Sequence, residues 1–596
     1  MKKALLLLLI PCLCAAAFGA SLPPDIKWET NMDDPPIGDP NALKGGVLYM
    51  DMEDYPLTFR LMGPNSNDSF AGWNRAFTMD LTLVNLHPTT DKFIPYLATH
   101  WSIQPDNQTI YYKLDPDARW SDGKPVTADD YVFCWEMMQS PHIVDPFYNN
   151  YVKEYLKSVE MVDEHTLKIV GQNPSWRPLY DYNLFPMPRH AIKLGPDWVK
   201  EANNTFQVAA GPYVVTEAVA GQRIVFSRIK DWWGIDKHYF KGMFNVEKIV
   251  LKVLPNDRSL DFFKKSDISL DYVNMAKIWA EEMKFDAIKK GWAHRKRVFL
   301  RVPSGISGLH MNIEAPIFKN KDFRKAMQYL FPFELINSKL MYSSYYRTVS
   351  IAEGTEYANP NLKPYGFDPQ KAREHLAKAG FAKRGADGIL LNEKGERASF
   401  TLTYGDKQFE RHATVIQEVY KKAGVEMLLK LLDGATAFNR GLERKYEMTI
   451  TSRTAGFYPE PNQYFHSKFK AATNNNNIWG FGTPKTDKLI ETYMFDLDKN
   501  KRLDAMHKLD EIIYDEAFYI PFWNAPYIRF IYWDYLCWPK NFLPRRTQQF
   551  TDWQVFWIDS AKEARLKEAM AKNTDLGEDT EVDVDPYGIK KAMESK

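Results

Sequence analysis

The short residue patterns that carry out catalysis in many secreted hydrolases are missing from this chain. It has no HExxH zinc helix, no GxSxG nucleophile elbow and no GxxxxGK[ST] phosphate loop. The string SGISG at residues 304–308 comes nearest to an elbow, but its serine is offset from the required glycine spacing. We interpret this string as a turn. None of the 12 histidines forms a His-x3-His pair that would put two imidazoles on one helix face.

These absences make catalysis a secondary hypothesis. They are weak evidence against it, because triads assembled from distant positions leave no compact motif. The aromatic composition leaves two interpretations open. Aromatic residues make up 14% of the chain, with 17 Trp and 32 Tyr, and such rings either fill a large core or line a ligand cleft. Lysine plus arginine (77) balances aspartate plus glutamate (76), so nucleic acid is not an expected partner.

Strand and helix patterns alternate along the chain without a fixed repeat, which predicts an α/β architecture with mixed sheets. Strands are predicted at residues 109–114, 166–170, 224–227, 249–253 and 400–404. Helices are predicted at residues 127–138, 322–330, 369–379 and 412–423. Thr127 with Asp130 has the spacing of a capping box, and Gly380 and Gly424 stand where helices commonly end.

The first 20 residues have the layout of a secretory signal peptide. Lys2 and Lys3 precede a short uncharged run, and small residues follow as far as Ala20. The apolar run is too short for a permanent membrane anchor. We therefore expect an exported, periplasmic protein without stable membrane insertion. Cys12 and Cys14 leave a lipid-anchored form open as the alternative.

Removal of the signal leaves two cysteines, Cys134 and Cys537. A bond between them is possible in an oxidising compartment, although we expect two unpaired thiols, since a chain of this length needs no disulfide staple. At the other end, residues 559–596 are predicted to form a charged helix followed by a mobile polar tail.

A stretch of about 30 residues carries the first resemblance to a known family. Residues 101–114 read WSIQPDNQTIYYKL, and residues 120–133 read WSDGKPVTADDYVF. Together they resemble the hallmark of the family 5 extracellular solute-binding proteins, whose members deliver ligands to ABC importers. Further matches are AGPYVV at 210–215, GLHMN at 308–312 and YGFDPQKA at 365–372. Asp122 and Asp130 are assigned to turn and cap chemistry within this stretch.

Three details are similar to the YejA-like branch of that family, the binding proteins of a peptide and microcin C importer. They are DPNALKGG at residues 39–46, the aromatic segment from Leu330 to Ser350, and the Asn474–Asn477 run before Gly480. The resemblance implies a type II, cluster C-like periplasmic binding protein with two lobes and a hinge.

On that pattern the first lobe is built from discontinuous segments. It comprises residues 21–75, 205–300 and 520–558, with residues 76–204 as an appended subdomain. The second lobe comprises residues 301–519. The hinge is expected near Val302 and Tyr519, and a ligand is expected to favour closure of the lobes through contacts made only in the closed state.

The resemblance also implies ligand-binding residues after a strand of the second lobe. In the oligopeptide binders an acidic residue precedes a Y-x-E-P string and pairs with the peptide amino terminus. Here Tyr458 begins that string, but Phe457 precedes it, which puts recognition of a free amine in doubt. Arg453 is a candidate for binding a carboxylate or phosphate, or else for an ordinary ion pair.

The remaining candidates would supply stacking surfaces or a polar contact. They are Trp73, Tyr404, Trp479, Trp523 and Asn476. For the aromatic four a core role is an equal alternative, and Asn476 lies in what is otherwise a solvated loop. No catalytic residue, metal ligand or cofactor is predicted.

The expected partners are a peptide-like ligand, an ABC permease and its ATPase subunits, with the binding protein itself a monomer. The alternative ligands are an oligosaccharide or a chelated metal, and the alternative class is a secreted hydrolase or a chaperone-like scaffold. Binding of extended peptides without turnover would distinguish the main hypothesis from all of these.

Overall fold

The computed structural model describes residues 21–66, 69–75, 78, 81–255, 258–453, 455–539 and 551–594. The predicted signal peptide, with Cys12 and Cys14, lies outside these ranges. Within them, no helix has both the length and the apolar character needed to cross a membrane. The Cys134 and Cys537 thiols are both free, as expected.

Two four-stranded sheets form what we call the first lobe. One has the spatial order Val47–Met52, Lys248–Val253, Arg223–Arg228 and Tyr213–Val219. The other has the order Leu270–Tyr272, Tyr527–Trp533, Ala293–Phe299 and Asp583–Val584. Strands from both ends of the chain therefore meet in one lobe.

A third four-stranded sheet forms what we call the subdomain. Its antiparallel order is Ala98–Ile103, Thr109–Leu114, Thr166–Gly171 and Leu156–Asp163. The helix Ala128–Gln139 packs against it and begins with the predicted capping box. Asp130 accepts a hydrogen bond from the Thr127 backbone N–H at 2.9 Å and a second from the Trp120 indole at 3.2 Å. This residue thus fixes the helix start against the preceding turn.

A five-stranded sheet forms the centre of what we call the second lobe. Its order is Glu426–Leu431, Ser399–Tyr404, Met448–Arg453, Ile306–Met311 and Tyr519–Pro521. The first three strands are parallel and the last two are antiparallel to their neighbours. This is the mixed α/β sheet that the alternating pattern predicted.

The remaining elements are short strand pairs and helices on the sheet faces. The pairs are Val84–Leu86 with Phe93–Pro95, Tyr346–Arg347 with Trp523–Asn524, Lys383–Arg384 with Leu390–Leu391, and Leu536–Cys537 with Trp557–Ile558. The helices are Ser69–Asn74, Ala128–Gln139, Pro146–Tyr155, Pro178–Asp181, Trp198–Glu201, Ser259–Lys264, Asp286–Lys289, Lys321–Leu330, Phe333–Leu340, Pro369–Lys378, Glu410–Ala423, Gly434–Leu442, Asn462–Phe465, Pro484–Phe495, Lys499–Glu516, Thr551–Val555, Ser560–Lys572 and Ile589–Glu594.

The chain passes between the lobes at two places in the described structure. The first connection runs from Phe299 to Ile306 and the second from Pro521 to Tyr527. The second lies slightly beyond the position expected from sequence, because Tyr519 is still paired with His310 in the second-lobe sheet. Both connections are extended and adjacent, which is the arrangement of a two-stranded hinge.

The segment after the helix Ser560–Lys572 differs from the expected mobile tail. Asp583 and Val584 pair in parallel with Arg297 and Val298 at the edge of a first-lobe sheet. Arg297 holds the Asp583 carboxylate at 2.6 and 2.7 Å through two guanidinium nitrogens. The polar composition that suggested disorder thus supplies carboxylates for basic residues on the neighbouring strand.

Candidate ligand-binding site

The edge of the second-lobe sheet that adjoins the hinge is the natural place for a ligand. Its three parallel strands end there at Tyr404, Leu431 and Arg453. Ile306, where the chain enters the lobe, pairs with Arg453 at the same edge. Ligands of open α/β sheets bind outside the carboxyl ends of the strands. We call this region the carboxyl edge.

Arg453 is a buried cation at the carboxyl edge. Only 8% of the residue is exposed, and its guanidinium lies 5.2 Å from the Phe438 ring centroid. Among the described residues its ionisable neighbours are the Tyr464 and Tyr446 hydroxyls and the His310 ring, and none of them is a carboxylate. Its Nε also has no acceptor among the described residues. Burial lowers the pKa of Arg453, yet an arginine remains charged at neutral pH.

A buried guanidinium without a counter-ion is costly, and the cost falls when a carboxylate or phosphate arrives. The Phe438 ring covers one face of the Arg453 guanidinium and contributes a cation–π contact. Phe438 itself is 40% exposed and stands on the helix Gly434–Leu442 beside the end of the Tyr404 strand. The carboxyl edge therefore combines an unpaired cation with an accessible aromatic ring.

Phe457 and Tyr458 come four and five residues after Arg453 in the chain and are both half-buried. The Phe457 ring meets the Tyr458 ring edge-on at 4.7 Å. Tyr458 in turn contacts Trp176 at 5.1 Å and Tyr180 at 5.0 Å, both of which belong to the subdomain. This segment of the second lobe consequently lies between the two lobes.

Tyr404 and Trp523 also reach the carboxyl edge, but they pack mainly into its core. Tyr404 is 2% exposed at the end of its strand. Trp523 stacks on Phe522 with ring centroids 4.5 Å apart and faces His412 at 5.4 Å. Both rings belong to the hydrophobic core of the second lobe, Tyr404 as a buried member and Trp523 packed against it.

Three predicted residues lie elsewhere. Trp73 stacks on Trp553 at 3.5 Å in the core of the first lobe. Trp479 is fully buried and donates its indole N–H to Nδ1 of His310 at 3.2 Å, midway along a strand. Asn476 donates its side-chain amide to Gln463 Oε1 at 2.7 Å. The structure gives the two tryptophans core positions, and it joins Asn476 to its own lobe.

Sequence reasoning missed the residues that join the subdomain to the second lobe. Arg177 lies with its Nε 3.0 Å from Asp181 Oδ1 and its Nη2 2.7 Å from Glu460 Oε1. Glu460 is the acidic residue of the Y-x-E-P string, so in this chain it contacts the other lobe. A sequence signal existed in the Arg177 and Asp181 spacing of four residues, but nothing in it named the partner in the second lobe.

A second contact between the lobes lies nearer the hinge. Arg529 of the first lobe donates from Nη2 to the Asn274 carbonyl and to the Tyr345 hydroxyl, each at 2.7 Å. Tyr342 donates its hydroxyl to Glu281 across the same junction. The lobes thus meet on both sides of the carboxyl edge.

Two mixed α/β lobes are connected by two chain crossings and meet around a buried cation. This is the architecture of a binding protein that closes on a solute. Comparison with known proteins gives the family. The sequence profile of the bacterial extracellular solute-binding proteins, family 5 Middle, matches residues 92–514. The chain belongs to the family 5 solute-binding proteins, as its sequence motifs indicated.

Individual relatives are distant. The "Probable peptide-binding protein YejA" of Agrobacterium fabrum is 24% identical over 610 residues, covering 93% of this chain and 97% of the relative. The oligopeptide-binding protein AppA of Bacillus subtilis, solved with a nonapeptide, gives a TM-score of 0.74 at 18% identity, covering 87% of this chain and all of AppA. NikZ of Campylobacter jejuni, solved with Ni(L-His), gives 0.71 at 18% identity, covering 86% and 99%. These two structures establish the two-lobed fold.

Proposed function

We propose that this protein captures peptides or peptide-like compounds between its lobes and delivers them, chemically unaltered, to an ABC permease. The single observation that carries the proposal is the buried Arg453 guanidinium, which has no acidic partner among the described residues at the carboxyl edge. Such a cation suits the carboxylate of a short peptide. The nonapeptide bound to AppA and the name of the Agrobacterium relative support the same class, whereas the Ni(L-His) bound to NikZ belongs to the alternative of a chelated metal.

Closure supplies the specificity in this proposal. The guest would place its carboxylate on Arg453 and its carboxyl-terminal side chain against Phe438, with its amino terminus toward Phe457. Backbone groups along the cleft would hold the rest of an extended peptide, which allows many side-chain sequences. Closure is favoured because the guest contacts both lobes only when they are together.

The location and partners follow from the same proposal. Export through the predicted signal peptide would place the protein in the periplasm, where a monomer would meet the permease and its ATPase subunits. Binding without catalysis is the expectation for this family. In the described part of the chain, no group of three or more histidine, cysteine or acidic residues is arranged to hold a metal ion.

Calorimetric titration with three forms of tetra-alanine tests the proposal directly. We expect the free peptide and its N-acetyl form to bind, because Phe457 offers no carboxylate to the amino terminus. The C-terminal amide should bind at least about tenfold more weakly, since it removes the charge that Arg453 would meet. Arg453→Gln should abolish the difference between acid and amide, whereas Arg189→Gln, which breaks an exposed ion pair of the subdomain, should not.

Several results would overturn this assignment. Equal affinity for the acid and the amide in wild-type protein would remove Arg453 from ligand recognition. Tight binding of oligosaccharides or of a metal chelate, with no response to any tetra-alanine form, would assign one of the alternative ligands. Steady release of shorter peptides in the same mixtures would identify a hydrolase.

A further inference from the structure

The contact between the subdomain and the second lobe is built around one buried cation. Arg177 is 1% exposed in its side chain and lies within ion-pair distance of Asp181 in its own lobe and Glu460 in the other. Tyr155 adds a hydroxyl that donates to Glu460 Oε2 at 3.4 Å. A surface ion pair would contribute little, but here the guanidinium is buried and the Glu460 side chain is only 25% exposed, so the pair is partly shielded from water and restrains the relative position of its partners.

Neighbouring groups strengthen the same contact. The Trp176 indole N–H donates to the Tyr493 carbonyl at 2.9 Å, and the Arg502 guanidinium lies 4.0 Å from the Trp176 ring centroid. Lys468 pairs with Glu154 at 2.6 Å on the exposed rim. The subdomain and the second lobe therefore share an interface with a charged centre and an aromatic border.

The charges at the centre do not balance when all groups are ionised. One guanidinium faces two carboxylates, while Asp181 also accepts a hydrogen bond from Ser175 at 2.6 Å. Burial raises the pKa of Glu460 to about 7, against the opposing effect of Arg177 and with a further increase from Asp181. Other ionisable groups around the centre are Tyr151, Tyr155, Tyr180, Tyr182, Tyr357, Tyr458, Tyr464, Tyr493, Glu154, Lys468, Arg502 and Glu356.

Glu460 also lies in the segment that leads away from the candidate site. The chain runs from Arg453 at the carboxyl edge through Phe457 and Tyr458 to Glu460. The Arg177 guanidinium lies 5.2 Å from the Tyr458 ring centroid as well as contacting the Glu460 carboxylate. Any ordering of Glu460 and Tyr458 by Arg177 thus also orders Phe457, which contacts Tyr458 in the segment that follows Arg453 in the chain.

We propose that Arg177 is a positioning residue through which the subdomain holds the second lobe in the closed arrangement and sets ligand affinity without touching the ligand. The part of this inference that concerns affinity rests on the proposed function. Separation of the lobes would hydrate Glu460 and return it to the ordinary carboxylate range. Closing would then take up a proton near neutral pH, so closure is favoured as the pH falls from 8 to 6.

Small-angle X-ray scattering without added peptide tests the contact independently of any ligand. Wild-type protein should be more compact at pH 6 than at pH 8. Glu460→Gln, which keeps the hydrogen-bonding shape and removes the charge, should be as compact at pH 8 as wild type is at pH 6. Arg177→Met leaves the Asp181 and Glu460 carboxylates without their shared cation, so this variant should be more extended at both pH values. The Arg189→Gln control should follow wild type.

Titration of N-acetyl-tetra-alanine adds the readout that a purely structural residue would not change. This probe has no group that titrates between pH 6 and 8. Wild-type affinity should increase about tenfold from pH 8 to pH 6, as expected for one group whose pKa in the closed state is near 7. Glu460→Gln should bind the peptide tightly at both pH values. Arg177→Met should weaken binding about tenfold, and adding Glu460→Gln in the double variant should restore the affinity.

The outcomes separate the two proposals. If the scattering changes occur but no tetra-alanine form binds, the proposed ligand class fails and the contact stands. If Arg177→Met and Glu460→Gln scatter and bind like wild type at both pH values, the positioning role is overturned. Glu460→Gln lies outside the subdomain, so its result does not depend on whether the subdomain tolerates the loss of Arg177.

Discussion

At the scale of single residues, this protein buries two arginine side chains whose charges are balanced in different ways. Arg177 has two carboxylates, whereas Arg453 has none among the described residues. The first arrangement is complete within the chain and joins two lobes. The second is incomplete until an anion arrives, and this difference distinguishes a structural arginine from a candidate ligand-binding one.

Phe457 gives a prediction about recognition of the amino terminus. Phe457→Asp places a carboxylate at the position that precedes the Y-x-E-P string, where it can pair with a peptide amine. We expect free tetra-alanine to bind more tightly than its N-acetyl form in this variant, and the two to bind alike in wild type. Calorimetry with both peptides checks the difference. Phe457→Leu is the control for loss of the ring, and an unchanged preference in the aspartate variant would count against this placement.

Asp271 gives a prediction about stability in the first lobe. It is 4% exposed, and burial together with the nearby Asp51 carboxylate raises its pKa to about 7. A raised pKa means that the folded state holds the proton more tightly than the unfolded state, so this residue's contribution to stability is lost as the pH rises from about 4 through 7.

Asp271→Asn should therefore raise the free energy of unfolding at pH 8 by up to about 4 kcal/mol and have little effect at pH 4, because the pKa is raised from 3.8 to about 7 and each unit corresponds to ~1.4 kcal/mol. Denaturant titration at both pH values measures this. The exposed Asp286→Asn change in the same lobe is the control. Equal effects of Asp271→Asn at the two pH values would show that the carboxyl group is not linked to folding in this way.

At the scale of elements, local patterns predicted individual helices and strands well. The strand at residues 109–114 and the helix ending before Gly424, whose φ is +94°, lie where turn and cap chemistry placed them. Such signals are local, because a cap or a turn is satisfied within a few residues. The family resemblance added the two-lobed arrangement that local patterns alone do not specify.

The candidate site was predicted less completely. Arg453 lies at the carboxyl edge, and Phe457 and Tyr458 contact each other in the segment that follows it, but Trp73 and Trp479 are held in separate cores. The sequence does not distinguish a tryptophan in a cleft from one in a core, because the burial of each ring is known only from the three-dimensional structure. The Arg177–Glu460 pair was missed since its members are far apart in the chain and in different lobes.

Gly305 gives a prediction about the first connection between the lobes. Its φ is +67°, and a Cβ there would approach the Arg453 carbonyl oxygen to 2.1 Å. Gly305→Ala should lower the free energy of unfolding by about 2 to 4 kcal/mol, combining left-handed strain with a backbone clash. It should also weaken peptide binding, because the clash displaces the backbone of Arg453.

Gly395 offers the matched control. Its φ is +79°, and no atom of the described residues lies within 4 Å of the position that a Cβ would take. Gly395→Ala should therefore cost only the left-handed strain, about 1 to 2 kcal/mol, and leave binding unchanged. Equal costs in thermal or denaturant unfolding, with binding retained in both variants, would show that the close approach at Gly305 is relieved without disturbing Arg453.

At the scale of the whole molecule, the carboxyl-terminal segment completes the first lobe. Lys296 pairs with Asp579 at 2.8 Å, and Asp583 pairs with Arg297 on the adjacent position of the same strand. Residues 579–584 thus cover an edge of the sheet Ala293–Phe299. Uncovered strand edges promote association between molecules.

Truncation after Leu576 tests this role. We expect the midpoint of thermal unfolding to fall by about 1 to 2 °C, for the loss of roughly 1 to 2 kcal/mol in a chain of this length, and light scattering to reveal association of the truncated protein. Arg297→Gln, which removes one ion pair but keeps the strand, should lower the midpoint by less and remain monodisperse. An unchanged midpoint and a monomeric truncated protein would show that the segment covers the edge without stabilising it.

The interleaving of the chain ends in one lobe also determines an order of assembly. The five-stranded sheet is complete once Tyr519–Pro521 has been made, whereas the sheet of Ala293–Phe299 still lacks its central strand, Tyr527–Trp533. A nascent chain emerging from its amino end can therefore finish the later lobe before the earlier one. The sheet of Ala293–Phe299 is then the last to form, whereas the sheet of Val47–Met52 and the subdomain sheet already have all their strands once Val253 has been made.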